Sequence, residues 1–166
     1  MDLGSSIIST PVALSFRSMT IDKNSSITAL TTEPAQPPSL YALIGGGERL
    51  RELVDRFYDL MDLEPDFAGI RVLHPTSLDG SRDKFFWFLS GWSGGPDLFV
   101  ERFGHPRLRA RHLPYAISTP ERDQWLRCMA LAMQDVQMEE GLQQRLLASF
   151  FDTADWMRNK ADKVEA

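Results

Sequence analysis

Between Gly104 and Tyr115 the chain sets two of its three histidines, His105 and His112, among Arg107, Arg109 and Arg111. Ser118-Thr119-Pro120-Glu121 follows, the signature of a helix start, and the helix it opens brings Trp125 inward. A histidine at the end of a short turn, facing an apolar helical surface, has the chemistry of an axial ligand to haem iron. The same His112 is also accommodated, and more commonly found, as a satisfied histidine in a capped loop. Residue types alone leave both readings open. The arginines fit a solvated face, or they meet the carboxylates of an anionic cofactor, as haem propionates require. His105 reads as a loop-structuring residue rather than a ligand.

Other chemistries are poorly supported. There is no glycine-rich phosphate loop with a following Lys-Ser/Thr, and no His-Glu-x-x-His. Histidines scattered from His74 to His112 do not form a recognisable zinc pattern. The single cysteine, Cys128, excludes an intrachain disulfide and lies in an apolar helical stretch, as an inert buried thiol would.

Composition sets the frame. A hydrophobic fraction of 43%, a charged fraction of 25% and a net charge of −5 describe an ordinary globular domain. The acidic balance argues against nucleic acid or an anionic membrane as partner. No apolar run approaches a membrane span, and Met1 to Asn24 lacks the pattern of a secretory signal, so a cytoplasmic protein is expected.

The elements that must carry these residues are helices. Residues 1–38, rich in Ser, Thr and Pro, read as a disordered arm. A folded domain is expected over 39–160, with a frayed tail at 161–166. After a turn or two of helix at Ser39–Ile44, Gly45-Gly46-Gly47 reads as a stop. Leu50, Leu53, Val54, Phe57, Tyr58 and Met61 then form one helical stripe, predicting a helix from Glu48 to Leu63. A buried Tyr58 hydroxyl needs a partner: a backbone carbonyl if it is core filler, a ligand if it faces a pocket. Asp66 to Gly80 is irregular and contains His74-Pro75. The next helix ends near Gly91, with Phe85, Phe88, Leu89 and Trp92 inward, a wall suited to a core or to a flat aromatic cofactor. Trp125, Met129 and Val136 share a face of the helix after the capping box, and a last helix runs from Glu139 to about Lys160. No strand pattern is found. The class is all-α.

The segments Tyr41-Ala42-Leu43-Ile44-Gly45-Gly46, Phe57-Tyr58, Phe88-Leu89 to Gly94-Gly95-Pro96, Gly104-His105-Pro106, Leu108 to Pro114 and Glu121 to Met129 together resemble group II truncated haemoglobins over about residues 40 to 160. The resemblance implies a truncated-globin two-over-two helical sandwich holding haem b. It implies His112 as the proximal iron ligand, and Tyr58 and Trp125 as donors to a bound diatomic gas. Ser81 falls at the distal gate position, and Phe85 against the haem face. His74 stands where most globins have Phe or Tyr, which makes it a second polar contact or a sixth iron ligand. Arg109, Arg111 and Tyr115 are the expected contacts at the cofactor's edge. Dioxygen and other diatomic gases are the expected ligands, in a monomer or homodimer. The alternative is a haem enzyme, a nitric oxide dioxygenase or peroxidase type, served by a separate reductase.

Overall fold

The computed structural model describes residues 36–162. The expected arm lies, apart from Gln36, Pro37 and Pro38, outside the described residues, as do the last four positions of the expected tail. Among the described residues there are eight α-helices, one 3-10 turn and no strand.

Helix α1, Leu40–Ile44, is capped by the Ser39 hydroxyl, which accepts from the Ala42 N–H at 3.2 Å. Gly45 closes it at φ +106°, a conformation that an L side chain resists. Helix α2, Gly46–Leu63, begins at once. The glycine triplet therefore joins two helices instead of stopping the chain, and α2 starts at Gly46 rather than Glu48. Its predicted stripe is the core: Leu50, Leu53, Val54, Phe57, Tyr58 and Met61 are each at most 5% exposed.

The irregular stretch after Pro65 contains a 3-10 turn, Pro65–Phe67, and a single helical turn, α3, Ala68–Arg71. Helices α4 (Asp79–Trp92), α5 (Leu98–Phe103) and α6 (Leu108–His112) lead to α7, Thr119–Asp135. Helix α7 starts as its sequence predicts, with the Glu121 carboxylate accepting from the Ser118 N–H at 2.8 Å. Helix α8 is Glu140–Met157.

Helix α2 packs on α4 and on α7, and α7 packs on α8. This arranges α2/α4 and α7/α8 as two stacked helical pairs. Buried side chains on α2 and α7, Phe57, Cys128, Met129, Ala132 and Met133, are all 0% exposed. Burying each large apolar side chain contributes roughly 1.5–3 kcal/mol. Arg82 on α4 reaches Asp59 on α2 at 2.6 Å, and Arg56 on α2 reaches Asp135 on α7 at 2.7 Å.

Helix α8 stops at Met157, short of the predicted Lys160. Arg158 is extended, and the Asn159 N–H donates to the Ile117 carbonyl at 2.9 Å, turning the chain onto the loop before α7. Asp162, in the stretch read as a frayed tail, accepts from the Thr119 N–H and hydroxyl, each at 2.8 Å.

Candidate functional site

Between α4, α6, α7 and α8 lies a cavity of about 390 Å³. Tyr58, His74, Ser81, Phe85, Arg111, His112, Tyr115 and Trp125 all line it. Phe88, Leu89, Trp92 and Phe150 complete an aromatic and aliphatic wall, with Trp92 stacked on Phe150 at 4.9 Å and 17°. These side chains come from separate elements. Helix α2 supplies Tyr58, the α3–α4 turn His74, α6 His112 and α7 Trp125.

Two histidines are held in the same way. His112 Nδ1 lies 2.8 Å from the Leu108 carbonyl, and His74 Nδ1 lies 2.8 Å from the Ile70 carbonyl. A carbonyl only accepts, so in the neutral ring each Nδ1 carries the proton and each Nε2 keeps its lone pair. Burial pushes the His74 pKa below its ordinary value against the opposing pull of the Ile70 bond, with the neighbouring charges of Arg71 and His112 adding to the lowering. His74 therefore offers a base at Nε2.

Tyr58 is 5% exposed, and burial holds its phenol well above the usual range, as a protonated donor. Its ring meets Phe57 at 5.1 Å, His74 at 5.8 Å and Phe85 at 6.1 Å, each nearly perpendicular. The hydroxyl has no hydrogen-bond partner among the described residues. Trp125, locked between Phe57 at 5.3 Å and Phe150 at 5.5 Å, likewise keeps an unpartnered indole N–H. Tyr58 lines the cavity, and no backbone carbonyl partners its hydroxyl among the described residues.

Arg109 departs from expectation. Positions 109 and 111 differ by about 200° around a helix, so one cavity cannot take both. Arg111 lines the cavity, donating from Nε to the Pro106 carbonyl at 2.9 Å with its guanidinium 5.6 Å from the Phe99 ring. Arg109 turns away to α8, where it donates to the Trp156 and Arg158 carbonyls. Lys84, which the sequence reading passed over, lines the cavity instead, one helical turn beyond Ser81. Neither Lys84 nor Arg111 has a carboxylate partner among the described residues, whereas Arg82 and Arg122 are both ion-paired. His105 stays outside the cavity, its Nδ1 accepting the Arg107 N–H at 3.1 Å.

A cavity with aromatic walls, a fixed imidazole lone pair, two unpartnered donors on its lining and two unpaired cations fits an iron porphyrin dicarboxylate in every part of that donor set. Fold and cavity together define a truncated globin. The chain belongs to the bacterial-like globin family, whose model it matches over residues 39–159.

Within that family the likeness is to group II. The chain is 38% identical over 117 residues to the group 2 truncated hemoglobin YjbI of Bacillus subtilis (strain 168), across 70% of this chain and 86% of that one. It superposes on the group II 2-on-2 hemoglobin of the plant pathogen Agrobacterium tumefaciens with a TM-score of 0.73 and 39% identity, covering 78% of this chain and 100% of that one. The truncated oxygen-avid haemoglobin from Bacillus subtilis gives a TM-score of 0.67 at 38% identity, covering 74% and 100%. The fold is the all-α, two-over-two sandwich of these proteins.

Proposed function

We propose that this protein binds haem b non-covalently and takes up dioxygen and other diatomic gases reversibly. The observation that carries the reading is Tyr58, a buried tyrosine whose hydroxyl faces the cavity with no partner of its own. A packing role would have matched it to a carbonyl. The oxygen avidity of one relative points the same way.

When bound, haem supplies an iron centre with a position open to a gas. His112 Nε2 is the ligand that the chain offers to iron, and the Leu108 carbonyl fixes its tautomer. Phe85 packs toward the flat face of the group. Arg111, Lys84 and Tyr115 take its carboxylates. Thioether attachment has no candidate among the described residues, because Cys128 is 0% exposed and donates to the Phe57 carbonyl at 3.3 Å. Tyr58 O–H and Trp125 N–H donate to the negative end of a polarised gas. Charge-assisted bonds contribute roughly 1.5–3 kcal/mol each, which slows escape by about ten- to a hundred-fold per donor. His74, with its lone pair at Nε2, accepts rather than donates. It would compete for the iron when no gas is present, so that the resting protein would be pentacoordinate or weakly hexacoordinate.

The same Nε2 favours a second reading, an enzyme of peroxidase or nitric oxide dioxygenase type. A neutral base in the cavity can take a proton from hydrogen peroxide. The described residues form one helical domain, so electrons come from a separate reductase. No described helix is long and apolar enough to cross a membrane, and a cytoplasmic setting is the one we assign.

The test is the visible spectrum of the haem-reconstituted protein in ferric, ferrous and ferrous-plus-oxygen forms, beside His112→Ala. We expect a Soret band that His112→Ala weakens or abolishes, and faster oxygen release by about ten- to a hundred-fold in Tyr58→Phe. No haem uptake by the wild type would remove the functional reading and leave the fold. Peroxide turnover that collapses in His74→Phe would favour the enzyme.

A further inference from the structure

Helix α6 is a weak support for an iron ligand. It has 5 residues, none of them buried, and its N-cap, Arg107, has a left-handed φ of 44° and no side-chain cap. A helix of that length does not hold itself together. The carbonyl that aims the His112 ring belongs to Leu108 in the same short helix, so the ring is directed only as well as α6 is.

What holds α6 comes from the far end of the chain. Asn159 Nδ2 donates to the Tyr115 carbonyl at 2.8 Å and to the His112 carbonyl at 3.2 Å. Its Oδ1 accepts the Ile117 N–H at 3.2 Å, and its backbone N–H donates to the Ile117 carbonyl at 2.9 Å. One side chain thus spends nearly its whole hydrogen-bonding capacity on the segment from His112 to Ile117. Arg109 returns the hold, donating to the Trp156 and Arg158 carbonyls, where the last turn of α8 leaves acceptors without helical partners. Asn159 does not line the cavity.

We infer that Asn159 is a positioning residue for the His112 imidazole, clamping α6 to the end of α8 from outside the cavity. The inference rests on the haem reading above. It says that the strength and uniformity of the bond between His112 and iron are set by an amide that never touches the cofactor.

The experiment uses the full chain with Asn159→Ala and the isosteric Asn159→Asp, which removes both side-chain donations and keeps the volume. Arg145→Ala, an exposed change on α8, is the control. Three quantities are read: haem transfer to a scavenging apo-globin, the iron–histidine stretching band of the ferrous form, and amide hydrogen exchange over residues 108–117 in the haem-free protein. We expect transfer about tenfold faster, a broadened and lowered stretching band, and exchange raised over 108–117, in both Asn159 variants and not in the control. Rescue by Asn159→Asp would assign the effect to packing and overturn the proposal. A lowered melting temperature with the band and the transfer rate unchanged would overturn it too. Failure of the haem reading itself shows separately, as absence of a Soret band in the wild type, and the clamp then stands or falls on the exchange data.

Discussion

Two parts of the cavity lining, the one proposed to donate to a gas and the one proposed to hold iron, are built by opposite means. Tyr58 and Trp125 stand on long helices, α2 of 18 residues and α7 of 17, whose neighbouring side chains are the core of the protein. Phe57, next to Tyr58, and Met129, one turn from Trp125, are both 0% exposed. His112 stands on a helix of 5 residues with nothing buried, fixed by polar bonds to the chain beyond α8. Apolar packing holds Tyr58 and Trp125, and hydrogen bonds hold His112. Close packing gives a side chain a single well-defined place and resists small displacements, whereas hydrogen bonds at a surface compete with water. Tyr58 and Trp125 should therefore keep their places under conditions that loosen His112.

Four measurements would break or sharpen this contrast. The largest effect is expected from Phe57→Ala, which hollows the wall under Tyr58 and Trp125 at once. It should cost about 3–5 kcal/mol in urea unfolding. A loss below about 1 kcal/mol would mean that the donor wall is not held by packing.

Gln124→Ala comes next. Gln124 Oε1 accepts the Ile70 N–H at 3.1 Å, and Gly69 makes room for it, since a Cβ there would sit 2.6 Å from that oxygen. Removing the amide leaves the Ile70 N–H without its partner and frees the turn that carries His74, at a cost of about 1–3 kcal/mol. A matching rise in exchange around Ile70 but not around Leu108 would keep the two walls independent.

A smaller effect belongs to pH. The folded His74 has a pKa below its unfolded value, so below about pH 6.5 the unfolded chain binds the extra proton first. Stability of the haem-free protein should fall as pH drops through that range towards the folded pKa, and His74→Phe should flatten this part of the curve. An unchanged curve in His74→Phe would show the ring to be freely hydrated.

The smallest is a rate near zero. Burial pushes the Cys128 thiol up to about 12, and it sits 0% exposed behind Phe57. Alkylation at pH 8 should proceed only through global unfolding, with the same urea dependence. Faster labelling would reveal local opening of the wall described as rigid.

The same contrast explains what the sequence disclosed. The Tyr58 stripe and the box at Ser118 and Glu121 are local patterns, and a helix of period 3.6 writes them plainly into neighbouring positions. Trp125 follows from its place nearly two turns inside that helix. The Gly45 triplet was half legible, because glycine announces a change of direction without saying whether another helix begins at once. Arg109 and Arg111 look alike as residues, and only the turn of α6 separates their directions. Asn159 and Gln124 left no mark at all, since their partners lie 42 and 54 positions away. A polar residue in a polar segment carries no signal of a distant carbonyl.

The stacking of Trp92 on Phe150, with Trp125 meeting the same phenyl ring, has an optical consequence. Two of the four indoles, Trp92 and Trp125, belong to the cavity wall, while half-buried Trp87 and Trp156, 58% exposed, stand outside it. The wall pair should emit further to the blue than the exposed Trp156, with half-buried Trp87 between them. A porphyrin entering the cavity would drain excitation from the nearest indoles most strongly, so the emission should both dim and drift redward as the site fills. The protein would thus be its own fluorescent gauge of occupancy, readable without label or substitution.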